Sequence, residues 1–115
     1  NEAKFMNLIG EVKGLHAIIL DDIVDTAGTL VEAASALTTK GAAGVYACCV
    51  HPVLSGPAIQ RLNKSIIQEV TITNTIPLSP QAASSPKFKV LSVARLLADA
   101  IQRIHCNDSV SSLFV

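Results

Sequence analysis

Residues 16–29 read HAIILDDIVDTAGT, and the order of apolar, acidic and small residues in this stretch decides the fold. His16-Ala17-Ile18-Ile19-Leu20 is a short apolar run of the kind that forms a buried parallel strand. Asp21 and Asp22 follow at once, then two apolar residues, then Asp25-Thr26-Ala27-Gly28-Thr29. Beyond it Leu30, Ala33, Ala34 and Leu37 recur at helical spacing. The stretch therefore predicts a strand, a tight polar turn and a helix.

In a parallel α/β sheet that junction lies at the carboxyl edge of the strands, where ligands bind. A helix start offers free N–H groups and partial positive charge, which suit a phosphate. Ala27 and Gly28 are small enough to let backbone donors approach one, and Thr26 and Thr29 add hydroxyl donors. Asp21, Asp22 and Asp25 would repel a bare phosphate; they suit sugar hydroxyls or a divalent cation with oxygen ligands. A sugar phosphate satisfies both halves. Thr29 and Glu32 also match a capping box, which would explain Thr29 without a ligand.

Working outward, the helix is expected over residues 29–39, with Lys40 at its negative end and Gly41 as its stop. Val45 to Val50 forms the next strand, again apolar on both faces, and a strand, helix and strand in this order imply a parallel pair with a right-handed crossover. His51 leaves that strand on the acidic edge and reads as structural, though it could touch a ligand. Ser55 and Gly56 fit either an anion site or an ordinary helix start, and Pro57 opens a helix running to about Asn63. Glu69 to Thr73 alternates like a half-buried strand and delivers Thr73, Asn74 and Thr75 to the same edge. Residues 76–87 have the prolines and serines of a loop. Phe88 to Leu91 forms a short strand; Ser92 caps a helix whose Val93, Leu96, Leu97, Ala100, Ile101 and Ile104 stripe belongs in the core. Upstream, Phe5 to Ile9 is a further short strand, and Lys4 and Lys13 are solvated charges.

Composition narrows the class. At 115 residues the chain is one domain at most. Half of it is apolar but only 3% aromatic, so the core is aliphatic. A formal net charge of zero, with no basic cluster, argues against nucleic-acid binding. No apolar run is long enough to cross a bilayer, and no signal peptide is visible. Cys48 and Cys49 are neighbours on one strand and point to opposite faces, so together with Cys106 they read as cytoplasmic thiols and not a disulfide framework. The chain opens on Asn and reads as a piece of a longer protein.

The nine residues DDIVDTAGT resemble the phosphoribosyl-pyrophosphate motif of type I phosphoribosyltransferases and phosphoribosyl-pyrophosphate synthetases. The flanks NLIGEVKG, VYACCVHPVLSGPAIQRL, TITNTIP and HCNDSVSSLF are similar to the ribose-phosphate pyrophosphokinase family, and the likeness covers nearly the whole chain. The resemblance implies a phosphoribosyltransferase-like α/β domain with a mainly parallel sheet, here the later part of a second domain without the ATP-binding half. It implies transfer of pyrophosphate from ATP to the 1-hydroxyl of ribose 5-phosphate, with Mg2+ to neutralise the triphosphate. Asp25, Thr26, Ala27, Gly28 and Thr29 would hold the 5-phosphate, while Asp21 and Asp22 would face the ribose hydroxyls and the metal. None of these is a catalytic nucleophile; the attacking oxygen belongs to the sugar. Members regulated by phosphate carry a tail like SVSSLF at a subunit interface of a homo-oligomer. By that match Ser109, Val110, Ser111 and Phe114 would receive phosphate or ADP, although Ser112 stands where some relatives carry Tyr. Alternatives are a phosphoribosyltransferase that consumes the activated sugar, and a non-catalytic subunit regulating a true synthetase. The flanks favour the synthetase, and the intact motif counts against the regulator. With no Walker-type phosphate loop of its own, the piece alone is expected to be inactive.

Overall fold

The computed structural model describes residues 7–115. Strands β1 (His16–Val24), β2 (Gly44–Pro52), β3 (Val70–Thr73) and β4 (Phe88–Leu91) form one parallel sheet in that order. Helices α1 (Gly28–Thr39), α2 (Ala58–Lys64) and α3 (Pro80–Ala83) lie between successive strands. Helix α4 (Ala94–His105) follows β4, and a 3-10 turn spans Ser111–Phe114. The class is α/β with a parallel sheet and flanking helices, as the strand–turn–helix reading predicts.

Each connection moves the chain one strand further in the same direction. Right-handed crossovers then put the intervening helices on one face of the sheet. The core lies between those layers: Leu30 and Ala34 of α1, Ala58, Ile59 and Leu62 of α2, and Ala82 of α3 cluster with Val45, Ala47, Cys49, Val70, Ile72 and Phe88. It is aliphatic apart from Phe88, and each fully buried Leu or Ile contributes about 1.5–3 kcal/mol relative to exposure. Helix α1 ends as its sequence dictates. Gly41 takes φ 93° while its amide bonds to Thr38 and that of Ala42 to Leu37, the double closure that a left-handed residue after a helix permits. Lys87 Nζ donates to the carbonyls of Leu62 (2.8 Å) and Ser65 (2.7 Å), placing a cation at the negative end of α2.

Several sequence expectations are corrected. β1 does not stop at Leu20; it runs through both acids, with Asp21 opposite Cys49 and Ile23 opposite His51. Each carboxylate also accepts from the next amide along, Asp22 N (2.9 Å) and Ile23 N (2.8 Å). β1 is not buried on both faces: Ala17 and Ile19 pack on the core, while Ile18 and Leu20 are 69% and 79% exposed. The proline–serine loop contains α3, started by Ser79 accepting from Ala82 N and by Pro80 in its first turn. The α4 stripe is not core, since no α4 residue is buried and Ile101 and Ile104 are about two-thirds exposed. Ser92 still assists that helix, taking the Ala94 amide, while Asn74 Oδ1 takes Val93 N at 2.9 Å. Of the strand expected at residues 5–9, the first two lie outside the described residues and the rest form no strand.

Candidate functional site

Two departures from ordinary backbone meet at the end of β1, one in the β1–α1 junction and one in the segment facing it. Ala27, the residue before α1, is left-handed at φ 62°, ψ 8°, and Leu54 in the facing β2–α2 segment is left-handed at φ 50°. Such a conformation costs a non-glycine residue on the order of 1–3 kcal/mol and persists only where surrounding contacts fix it. Those contacts are visible. The carbonyl of Val24 accepts from Leu54 N (3.0 Å), that of Asp25 from Ser55 N (3.0 Å), and that of Thr26 from Arg61 Nη1 (3.0 Å). Three consecutive carbonyls are thus drawn toward the β2–α2 segment.

A trans peptide points its N–H opposite to its C=O. The amides of Asp25, Thr26 and Ala27 therefore face away from that segment. Among the described residues, no acceptor is bonded to any amide from Asp25 to Leu30; the first bonded one in α1 is Val31 N, on Ala27 O at 3.1 Å. A cavity of about 280 Å³ opens here, lined by Asp21 and residues 23–30. Successive unspent N–H groups at the start of a helix form a concave, positively polarised surface, which is the geometry that accepts an anion.

Six of the seven residues predicted to bind substrate come together around this cavity: Asp21, Asp25, Thr26, Ala27, Gly28 and Thr29. Asp22, the next residue after Asp21 on a strand, is not among its lining residues. Asp25 accepts from Ser55 Oγ, which anchors its carboxylate against the β2–α2 segment. Thr29 sits inside α1 and no side chain caps that helix, so the capping-box explanation of Thr29 does not hold. A Cβ at Gly28 would meet nothing closer than Arg61 Nη1 at 3.4 Å, an ordinary contact, so protein packing alone does not require glycine there.

The remaining candidates lie elsewhere. His51 Nδ1 is 2.9 Å from Thr75 Oγ1, which itself donates to Val50 O, so His51 has a local structural partner. Ser109 and Ser111 bond to each other through their hydroxyls (2.8 Å), Val110 precedes the 3-10 turn, and Phe114 is exposed. This tail folds back on α4, where Arg103 Nη1 donates to Ser109 O and Ser112 Oγ. Sequence reasoning missed Arg61 altogether: it contacts the turn from 35 residues away, and only the packing of α2 beside α1 reveals it. The three cysteines are free, and no helix among the described residues is long and apolar enough to cross a membrane.

These features define a parallel α/β unit whose first strand ends in a turn of free amides. The sequence model of the family described as phosphoribosyl synthetase-associated domain matches residues 1–115, and the chain belongs to that family. It is 60% identical to the ribose-phosphate pyrophosphokinase of Caldanaerobacter subterraneus subsp. tengcongensis, over 99% of this chain and 36% of that protein. It is 54% identical to the ribose-phosphate pyrophosphokinase of Bacillus subtilis over the same shares. The crystal structure of phosphoribosylpyrophosphate synthetase from Mycobacterium smegmatis matches with a TM-score of 0.81 and 41% identity, covering 86% of this chain and 33% of that one. The chain spans about a third of the length of these relatives.

Proposed function

We propose that this chain is the ribose 5-phosphate-binding part of a ribose-phosphate diphosphokinase, the enzyme that moves pyrophosphate from ATP to the sugar's 1-hydroxyl. The observation that carries the reading is the run of unbonded amides from Asp25 to Leu30 around a cavity with Asp21 at its rim. The amides and the hydroxyls of Thr26 and Thr29 hold the 5-phosphate, and Asp21 accepts from ribose hydroxyls. The chain contributes positioning: it fixes the acceptor so that its hydroxyl meets the triphosphate in one orientation.

Magnesium supplies charge neutralisation when bound. Among the described residues, no group of three or more His, Cys, Asp or Glu side chains is placed to hold a metal alone. That fits Mg2+, which commonly takes one or two carboxylates and completes its shell with water and substrate phosphates. Asp21, which lines the cavity, is the carboxylate of this chain that would hold it. ATP is bound by polypeptide outside this chain, the whole protein is a cytoplasmic homo-oligomer, and the Ser109–Phe114 tail receives phosphate or ADP at a subunit contact. The unit is a phosphoribosyltransferase-like domain portion, completed by the remaining length that the relatives possess.

Calorimetry on the complete polypeptide carrying this chain tests the reading. Asp21→Ala is expected to weaken ribose 5-phosphate binding about tenfold, the scale of one charge-assisted contact, with the melting temperature nearly unchanged. Unaltered sugar affinity would refute the assignment. Supplying ribose 5-phosphate with ATP, or the activated sugar with a base, separates a synthetase from a phosphoribosyltransferase.

A further inference from the structure

We propose that Arg61 is a positioning residue for the phosphate-accepting turn: from α2 it locks the Thr26–Ala27 peptide so that an N–H, not a C=O, faces the cavity. The inference rests on the proposed function and adds a role for α2, none of whose residues lines the cavity.

Leu54 and Ser55 hold the carbonyls of Val24 and Asp25 with backbone amides, which most substitutions would retain. The Thr26 carbonyl is held by a side chain, Arg61 Nη1 at 3.0 Å. Flipping the Thr26–Ala27 peptide would change ψ of Thr26 and φ of Ala27 together. Ala27, at φ 62°, gains by such a flip, because a negative φ relieves its left-handed strain. The flip would turn the Ala27 N–H toward α2 and an oxygen toward the bound anion. Arg61 opposes it by occupying the carbonyl on the far side. The guanidinium also lies 3.4 Å from where a Cβ of residue 28 would stand, directly behind the turn. Ser55 assists from the same side through its hydroxyl on the Asp25 carboxylate.

The test uses the complete polypeptide carrying this chain, with ribose 5-phosphate as probe. Arg61→Ala is expected to raise the KM and Kd for ribose 5-phosphate about tenfold, with kcat and the KM for ATP little changed. Adding Ala27→Gly to Arg61→Ala should restore part of the affinity, since glycine takes a positive φ without penalty. No effect of Arg61→Ala, or a loss that Ala27→Gly leaves untouched, would overturn the proposal; the second outcome would mean that the guanidinium acts by charge on the phosphate. Should Arg61→Ala fold poorly, Arg61→Lys with and without Ala27→Gly is read in the same way. Asp21→Ala, which removes a carboxylate lining the cavity and leaves Arg61 in place, separates the two claims. If it weakens binding while Arg61→Ala does nothing, only the positioning role fails. If neither changes binding, the sugar-phosphate site itself is wrong.

Discussion

Cys49 shows how one buried side chain ties the sheet to solution conditions. Burial pushes its thiol up from an ordinary 9.0 to about 11; a backbone hydrogen bond at Val24 pulls the other way, and the charges of Asp21 and Cys48 add to the rise. The folded state therefore keeps a proton that the unfolded chain releases. The stabilisation is full below about pH 9 and is lost as pH rises through about 11. Denaturant midpoints measured across that range should fall more steeply for the native sequence than for Cys49→Ala. At neutral pH a thiol reagent should modify exposed Cys106 readily and spare Cys49 until unfolding. Equal reactivity of the two in the folded state would contradict this burial. At the same scale, the candidate residues that line the cavity are legible in the sequence because their chemistry is local: small residues beside hydroxyls and acids, packed into a few positions. The left-handed Ala27 was not, because an alanine carries no signal for positive φ; the cause lies in Leu54, Ser55 and Arg61, far along the chain.

Among the elements, β1 to α1 to β2 followed from periodicity and from Gly41, whose position after Lys40 marks the end of α1. The error over α4 has a physical origin. An apolar stripe on a helix says that the face must be covered, but not that the covering lies within the same chain. Here Leu97, Ile101 and Ile104 are exposed on α4, and so are Ile18 and Leu20 on β1. A parallel sheet ordinarily has both faces covered, so this exposure is a liability in water. The isolated 115-residue chain should therefore self-associate in sedimentation runs. Leu20→Ser together with Ile101→Ser should shift it toward monomer without loss of helix by circular dichroism. A monodisperse native chain at high concentration would show that these faces need no cover.

For the molecule as a whole, the radius of gyration is 16.8 Å, against about 13 Å for a compact domain of this length. All the sheet connections run one way and leave β1 at an edge. Further strands added beside β1 would pair with its edge; the helices of their crossovers, running the other way, would cover the Ile18–Leu20 face and make the β1 end a topological switch point. Ligands bind at such points in open α/β sheets. The sheet order thus places the free amides where a completed domain would have its crevice. A crystal structure of the complete polypeptide with ribose 5-phosphate tests this most directly. The account predicts phosphate oxygens about 2.7–3.2 Å from the amides of Ala27 and Gly28, with the Asp21 carboxylate on the ribose. A sugar phosphate bound elsewhere at full occupancy, with this turn empty, would contradict it.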